Sequence, residues 1–166
     1  IGAKSYAGGD LKGITQKLPY LKDLGVNALY LTPVFKANSN HKYNTTDYRT
    51  VDPQFGSNAD LVELVTRAHD MGMRVMLDIV FNHCDASHPF FQDVLKYGKQ
   101  SRYYSYFIID GDKPDLQSGN YARFADCKYM PKWNTNDAEA RQYLIQIGTE
   151  YLRVYNVDGL RLDVAY

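Results

Sequence analysis

Two charged residues, Arg161 and Asp163, interrupt an otherwise apolar run, GLRLDVAY. They are two positions apart, so on an extended strand their side chains lie on the same face. A second apolar run, MRVMLDIVFNH, carries Asp78. Burying Asp78 or Arg161 alone would cost several kcal/mol, so a pair across neighbouring strands is the natural arrangement. The spacing therefore predicts an Asp78–Arg161 contact, direct or through one water, that fixes Asp163 and keeps its carboxylate ionised.

The residue types alone leave other chemistries open. Asp163 could be a nucleophile, a metal ligand or a structural acid, and the Asp78–Arg161 pair could be purely structural. A metal site would gather residues from two strand ends: Asp78, Asn82, His83 and Asp163. No H-x-H or H-E-x-x-H spacing supports that site, however. The sequence also lacks a G-x-S-x-G nucleophile elbow and a G-x-G-x-x-G phosphate loop, which argues against a serine hydrolase and a nucleotide site.

The elements that must position these residues alternate along the chain. Amphipathic periodicity predicts three helices, between Asp10 and Gly25, between Ser57 and Gly72, and from Asn136 to Asn156. Short apolar runs predict three strands, over residues 27–34, 73–83 and 157–166. Residues 36–54 are predicted as a polar loop. This order indicates parallel strands covered on both faces, hence an α/β fold whose site lies at the carboxyl ends of the strands.

Residues 84–133 are too long for a simple connection and contain a short helical segment, HPFFQDVLKYG. We predict a small subdomain inserted after a strand, as α/β proteins place functional loops there. The predicted organisation is residues 1–83 as the first part of the main domain, 84–133 as the insert, and 134–166 as the continuation of the main domain.

Composition excludes some classes of partner. The chain has 19 basic and 19 acidic residues, so nothing favours nucleic acid or a membrane surface. Its 15 Tyr, 7 Phe and 1 Trp fit a sugar-binding cleft or, equally, a Tyr-rich core. Two cysteines form no disulfide framework and fit a reducing compartment. We expect a cytoplasmic protein, although secretion stays open because the chain begins without Met.

Four stretches, in chain order, resemble signatures of the alpha-amylase family, glycoside hydrolase family thirteen. NHKYNTTDYRTVDPQFG resembles the loop after barrel strand two, DIVFNH the signature on strand three, and GLRLDVAY the G-x-R-x-D signature on strand four. MPKWN is similar to the MPKLN motif of the neopullulanase, cyclomaltodextrinase and maltogenic amylase branch, with Trp133 in place of Leu. The resemblance implies an α/β fold, a partial (β/α)8 TIM barrel comprising about strands 2–4, with the B subdomain inserted after strand 3.

The resemblance also implies a reaction and its catalytic residues. The activity would be cleavage of α-glucosidic bonds in starch-type oligosaccharides, cyclodextrins or pullulan, by double displacement with retention. Asp163 would be the nucleophile, oriented by Arg161, and Asp78 would support Arg161. His83 and His41 would hydrogen-bond the sugar at the cleavage subsite.

Further residues are implied in binding rather than in chemistry. Tyr43 would stack on the sugar ring and Asn82 would help shape the floor of the subsite. No cofactor is expected for the reaction and no metal ligand is assigned. Gly8 and Asp10 match a GGD stretch that helps bind calcium in part of this branch, so a structural calcium ion would be a feature of a longer protein.

A second catalytic carboxyl is missing from the predicted site. Retaining glycosidases hold a general acid/base about 5–5.5 Å from the nucleophile. The only glutamates, Glu63, Glu139 and Glu150, lie on predicted helices. The resemblance places the acid beyond Tyr166 and the first barrel strand before Ile1.

We therefore expect a piece of a catalytic domain that is inactive or nearly so by itself. Its open strand edges would favour self-association. Two alternatives remain: a transglycosylase of the same family, and a non-catalytic amylase-like interaction module. The Arg161 and Asp163 pair disfavours the second alternative, because such a module would be expected to lose these residues.

Overall fold

A computed structural model describes residue 2 and residues 5–165. The helices are α1 (Leu11–Asp23), α2 (Asn58–Asp70), α3 (Pro89–Tyr97) and α4 (Ala138–Val154), and two short 3-10 helices cover Gly98–Gln100 and Tyr104–Tyr106. The strands are β1 (Ala28–Leu31), β2 (Phe35–Ala37), β3 (Thr45–Val51), β4 (Arg74–Ile79) and β5 (Gly159–Leu162). Tyr166, the end of the third predicted strand, lies outside the described residues.

Helices α1 and α2 begin where the sequence predicts, because local side chains satisfy their first backbone N–H groups. Asp10 accepts a hydrogen bond from the N–H of Gly13 at the start of α1, 2.6 Å away. Ser57 and Asp60 form the predicted capping box of α2. The fourth helix begins after Asp137 rather than at Asn136. Asn156 follows its last turn with φ 55°, the left-handed conformation expected of it.

Strands β1, β4 and β5 form a parallel sheet with β4 in the centre. On one face Leu29, Val75, Leu77 and Ile79 are buried in the hydrophobic core. The other face carries Tyr30, Met76 and Arg161, whose exposure shows that no second layer of the described chain covers it. The prediction that both faces are covered is therefore wrong for the described residues, and the open face is where the site lies.

Two strands of the predicted polar loop 36–54 were not anticipated. Residues 35–37 and 45–51 pair as antiparallel strands β2 and β3, so the loop assignment is wrong over about half of its length. The signal was the number of β-branched and aromatic residues in TTDYRTV, whose Thr45, Tyr48 and Val51 are buried. Because β2 and β3 pair with each other, residues 38–44 form the turn between them, with both ends fixed.

The residues predicted as an insert pack closely against β3. Trp133 is fully buried and stacks on Phe107, with ring centroids 4.9 Å apart. Its indole N–H donates to the hydroxyl of Tyr48, which itself donates to the carbonyl oxygen atoms of Val80 and His83. Many of the aromatic rings therefore serve the core, and the domain boundaries at 84 and 133 stay a prediction.

Candidate active site

The carboxylate of Asp78 is the centre of the site. Its side chain is completely buried on β4, and the sheet register pairs Asp78 directly with Arg161 on β5. Arg161 Nη1 lies 3.0 Å from Oδ1 and 3.1 Å from Oδ2 of Asp78. The predicted contact is confirmed as a direct ion pair, which satisfies the condition for burying this charge.

Arg161 also holds Asp163. The same Nη1 atom donates to Asp163 Oδ1 at 2.7 Å, so one guanidinium nitrogen bridges two carboxylates. Asp163 lies one residue past β5, where its backbone N–H donates to the carbonyl oxygen of Ile79 at 2.8 Å. The hydrogen bonds to Asp78 and to Asp163 raise the pKa of Arg161 above its usual value. The bridge therefore places the Asp163 carboxylate at the carboxyl edge of the sheet with a permanent cation beside it.

Two tyrosine hydroxyls complete the surroundings of Asp78. Tyr43 donates to Asp78 Oδ2 at 2.8 Å, and Tyr30 of β1 donates to the same oxygen. The hydrogen bond to Asp78 is the main cause that raises the pKa of Tyr30, whereas burial is the main cause for Tyr43. Tyr30 is not among the site residues predicted from the sequence. Its signal was present, however, because Tyr30 shares the sheet face of Asp78 and is a large polar aromatic residue in an apolar strand.

His83 is buried beneath the site rather than open to it. Its Nε2 lies 3.1 Å from the carbonyl oxygen of Tyr43, its Nδ1 lies 3.1 Å from Nδ2 of Asn82, and its ring stacks on Phe124. Burial lowers the pKa of His83 against the opposing attraction of Asp163, and a neutral ring suits one donated and one accepted hydrogen bond. The structure gives His83 a positioning contact to Tyr43, and its hydrogen bond to a sugar stays a prediction.

His41 is exposed at the rim, next to Tyr43. The two rings are roughly parallel, with centroids 5.9 Å apart, and His41 Nδ1 accepts the backbone N–H of Tyr43 at 3.1 Å. Burial lowers the pKa of His41, and the neighbouring charge of Lys42 lowers it further. In the neutral ring Nδ1 is then the acceptor, which leaves the proton on Nε2, directed away from the backbone.

A cleft of about 310 Å³ adjoins Asp163. Asn82, Lys132, Trp133 and Thr135 contribute to its walls. The MPKWN segment reaches this cleft because its backbone pairs with the end of the DIVFNH segment. Trp133 N donates to Asn82 O at 3.0 Å, and Lys132 forms an isolated antiparallel β-bridge with His83. Of the predicted site residues, the structure thus brings Asp78, Arg161, Asp163, Asn82, His83 and Tyr43 together, with His41 at the rim.

The glutamates have other contacts. Glu150 pairs with Arg49 at 2.8 Å, Glu139 accepts from Tyr106, and Glu63 lies 3.9 Å from Arg67 on the same helix. None of the hydrogen bonds or ion pairs of the described chain joins a glutamate to Asp163 or Arg161. The site therefore contains one candidate nucleophile and its orienting cation, and the described residues supply no general acid beside them.

The candidate metal ligands are occupied by protein groups. Arg161, Tyr30 and Tyr43 donate to Asp78, and among residues 2 and 5–165 no group of three or more His, Cys, Asp or Glu side chains is spaced for an ion. In the GGD stretch, Asp10 caps α1 and the carbonyl oxygen of Gly9 accepts the Tyr6 hydroxyl at 2.6 Å. These residues therefore do not fit a calcium site by themselves.

Two further features concern the cysteines and the apolar character of the helices. Cys84 and Cys127 are free thiols. In the part of the chain that is described, no helix combines the length and apolar character needed to cross a membrane.

Comparison with known proteins gives consistent matches over nearly the whole chain. A family profile described as "Alpha amylase, catalytic domain" matches residues 2–166. The intracellular maltogenic amylase of Bacillus subtilis is 49% identical over 164 residues, covering 99% of this chain and 28% of that protein. The cyclomaltodextrinase of Thermoanaerobacter pseudethanolicus is 47% identical over 165 residues, covering 98% of this chain and 29% of that protein.

Solved structures match equally well. A cyclomaltodextrinase superposes with a TM-score of 0.91 at 43% identity, covering 99% of this chain and 30% of that one. A ligand-free cyclic alpha-maltosyl-(1→6)-maltose hydrolase from Arthrobacter globiformis superposes with a TM-score of 0.93 at 36% identity. The match covers 99% of this chain and 37% of that one. The chain thus spans less than a third of the length of the two curated relatives.

Proposed function

The chain belongs to the alpha-amylase catalytic-domain family, and from that membership we propose that it forms the nucleophile half of a glycosidase active site. The whole protein would cleave α-glucosidic bonds in starch-type oligosaccharides, cyclodextrins or pullulan, with retention of anomeric configuration. The names of its relatives, a maltogenic amylase and a cyclomaltodextrinase, support this substrate class. The observation that carries the proposal is the bridge from Asp78 through Arg161 to Asp163.

In this reaction Asp163 attacks the anomeric carbon while the glycosidic bond breaks and a general acid protonates the oxygen of the leaving sugar. Water then hydrolyses the resulting glycosyl ester. Arg161 fixes the direction of the attacking carboxylate through a charge-assisted hydrogen bond, so that little reorganisation is needed when charge develops. Asp78 holds the Arg161 guanidinium in place, because both of its carboxylate oxygens accept from Arg161 Nη1. The general acid must come from chain outside these residues, which supports a role as part of a longer catalytic domain.

The sugar-binding roles rest on the surroundings of Asp163. Tyr43 offers its ring as a stacking surface, His41 offers its Nε2–H, and Asn82 contributes to the wall of the adjoining cleft. We propose that His83 acts mainly by holding the Tyr43 carbonyl oxygen. In this arrangement the stacking ring and the nucleophile share one support, because Tyr43 and Arg161 both bind Asp78.

No cofactor is needed for this chemistry, and any structural calcium would be held by residues of a longer protein. The proposed partner is an α-glucan oligosaccharide rather than nucleic acid or a membrane. A cytoplasmic location is proposed from the printed description of a relative as intracellular and from the two free thiols.

The test is to replace Asp163 with Asn in the longest gene product that carries this chain. Loss of the carboxylate nucleophile should lower kcat for maltooligosaccharide or cyclodextrin hydrolysis by about 10⁴-fold or more. The melting temperature serves as the folding control. The 166-residue chain assayed alone should show no turnover. Turnover by the isolated chain, or full activity of the variant, would contradict the proposal.

A further inference from the structure

Lys42 lies between the two rim residues His41 and Tyr43 but takes no part in the site itself. Its side chain is only 3% exposed, whereas His41 is exposed and Tyr43 half-buried. The Lys42 side chain therefore lies beneath the turn, whereas its two neighbours are on the more exposed side. Lysine is rarely buried to this extent unless its charge is paired.

The ammonium group of Lys42 is fully engaged beneath the turn. Nζ lies 2.6 Å from Oδ2 of Asp52 and 2.7 Å from Oε1 of Gln54, and 5.4 Å from the ring centroid of Phe55. Burial would raise the pKa of Asp52, but the hydrogen bond from Lys42 and two backbone N–H groups bring it below its usual value. The pair is therefore ionic and shielded from solvent.

Asp52 is a fixed anchor for this pair. Its backbone N–H donates to Val34 O at 2.9 Å, just past β3, and its carboxylate accepts the N–H groups of Ala37 and Gln54. The β2–β3 pair therefore holds Asp52 independently of the turn. Lys42 is the residue that ties the turn to that anchor.

The backbone of Lys42 indicates that this contact is enforced. Its φ is 63°, in the left-handed region that residues with a Cβ seldom adopt. Such a conformation persists only where surrounding contacts over-determine it, and it clusters at functional sites. Here those contacts are the ion pair and the hydrogen bond from Lys42 N to Ser39 Oγ at 3.2 Å.

We propose that Lys42 is a positioning residue for the cleavage subsite, acting through its ion pair with Asp52. The ion pair sets the backbone of residues 41–43, so that the Tyr43 hydroxyl meets Asp78 and the Tyr43 carbonyl oxygen meets His83. The inference rests on the proposed function, because the subsite it positions is the sugar-binding part of that function.

The experiment compares K42M, D52N and the double variant K42M/D52N in the longest gene product that carries this chain. K42M leaves the buried Asp52 carboxylate without its cation, so the melting temperature and kcat/KM should both fall. In the double variant no unpaired charge remains, so the melting temperature should recover most of its loss. Its kcat/KM for maltotriose should stay at least tenfold below wild type, with kcat lowered as well as KM raised, because the tie to the turn is still absent.

R49M is the matched control. It breaks the Arg49–Glu150 ion pair at the same β2–β3 unit, without touching residues 38–44. Its kcat and KM should equal those of wild type, whatever happens to its melting temperature. A double variant that regains wild-type kcat/KM along with its stability would overturn the inference, since Lys42 would then act through stability alone. An inactive wild-type protein would overturn the proposed function instead.

Discussion

Asp78 shows how one buried carboxylate can determine the geometry of a whole site. It accepts from Tyr30, Tyr43 and Arg161, which come from β1, from the turn after β2 and from β5. Burying a carboxylate with fewer hydrogen-bond donors would cost more free energy, so each of the three donors helps to stabilise the buried Asp78. The direction of Asp163 therefore depends on residues that never touch it.

Tyr30 provides the residue-scale test of this dependence. Y30F removes one donor to Asp78. It should lower the free energy of unfolding by about 1 kcal/mol, because water replaces the lost hydroxyl only in part. We expect kcat/KM of the longest gene product to fall about threefold to tenfold on an oligosaccharide substrate. Y20F is the control, since Tyr20 is an exposed residue of α1. Equal kinetics for Y30F and wild type would show that Tyr43 and Arg161 suffice to hold Asp78.

At the scale of elements, helix α3 begins at an unusual cap. His88 Nδ1 accepts the N–H of Phe90 at 3.3 Å, which requires a neutral ring. Burial lowers the pKa of His88 to about 4, although Asp47 and Asp85 act in the opposite direction. On its other side Nε2 faces the Tyr143 hydroxyl of α4 at 3.5 Å. The start of α3 is thus coupled to protonation of a core residue.

The sign of the resulting pH dependence follows from the two states of His88. Unfolded His88 binds a proton near pH 6.5, whereas the folded ring resists protonation down to about pH 4. The unfolded state therefore binds more protons in that window, and the free energy of unfolding falls as pH falls through it. By the lower end of this pH window the free energy of unfolding should have fallen by about 3 kcal/mol.

Urea unfolding at pH 7, 5.5 and 4.5 measures this effect in wild type and in H88N. Asn is a good N-cap residue without a titratable ring. The free energy of unfolding of wild type minus that of H88N should therefore decrease as the pH falls. A difference that does not change with pH would show that His88 is not the titrating group.

At the scale of the whole molecule, the fold is confirmed as part of a (β/α)8 barrel. The family match covers residues 2–166, and the three-stranded parallel sheet supplies adjacent barrel strands. In such a barrel the open face with Tyr30, Met76 and Arg161 is the interior. Exposure of that face in this chain is the consequence of a sheet that the described residues leave unclosed.

Self-association is the whole-molecule prediction. The outer edges of β1 and β5 have no strand partner in the described chain, and an apolar cleft of about 560 Å³ lies between α1 and β1. Unpaired parallel edges favour pairing with another copy. Sedimentation velocity of the 166-residue chain at about 100 µM should therefore detect dimers or larger species. L162K, which adds a charge at an exposed position of β5, should reduce them. Monomers alone in wild type would contradict the prediction.

The sequence by itself determined the helix starts, the parallel strands and the charged pair. These features depend on local capping, on apolar periodicity and on the cost of burying a lone charge. The Asp78–Arg161 contact could be predicted because strand alternation places both charges on one face, and the register then made them direct partners.

Only the tertiary structure decided how the remaining residues take part. The antiparallel β2–β3 pair turned a predicted loop into a rigid support, and it brought Asp52 under Lys42. Tyr30 joined the site, and His83 was buried beneath Tyr43 rather than exposed. These contacts link residues 10 to 48 positions apart in the chain. A local pattern can mark such residues as candidates, but it does not specify their contacts, because these exist only once the strands have paired and the turn has closed over them.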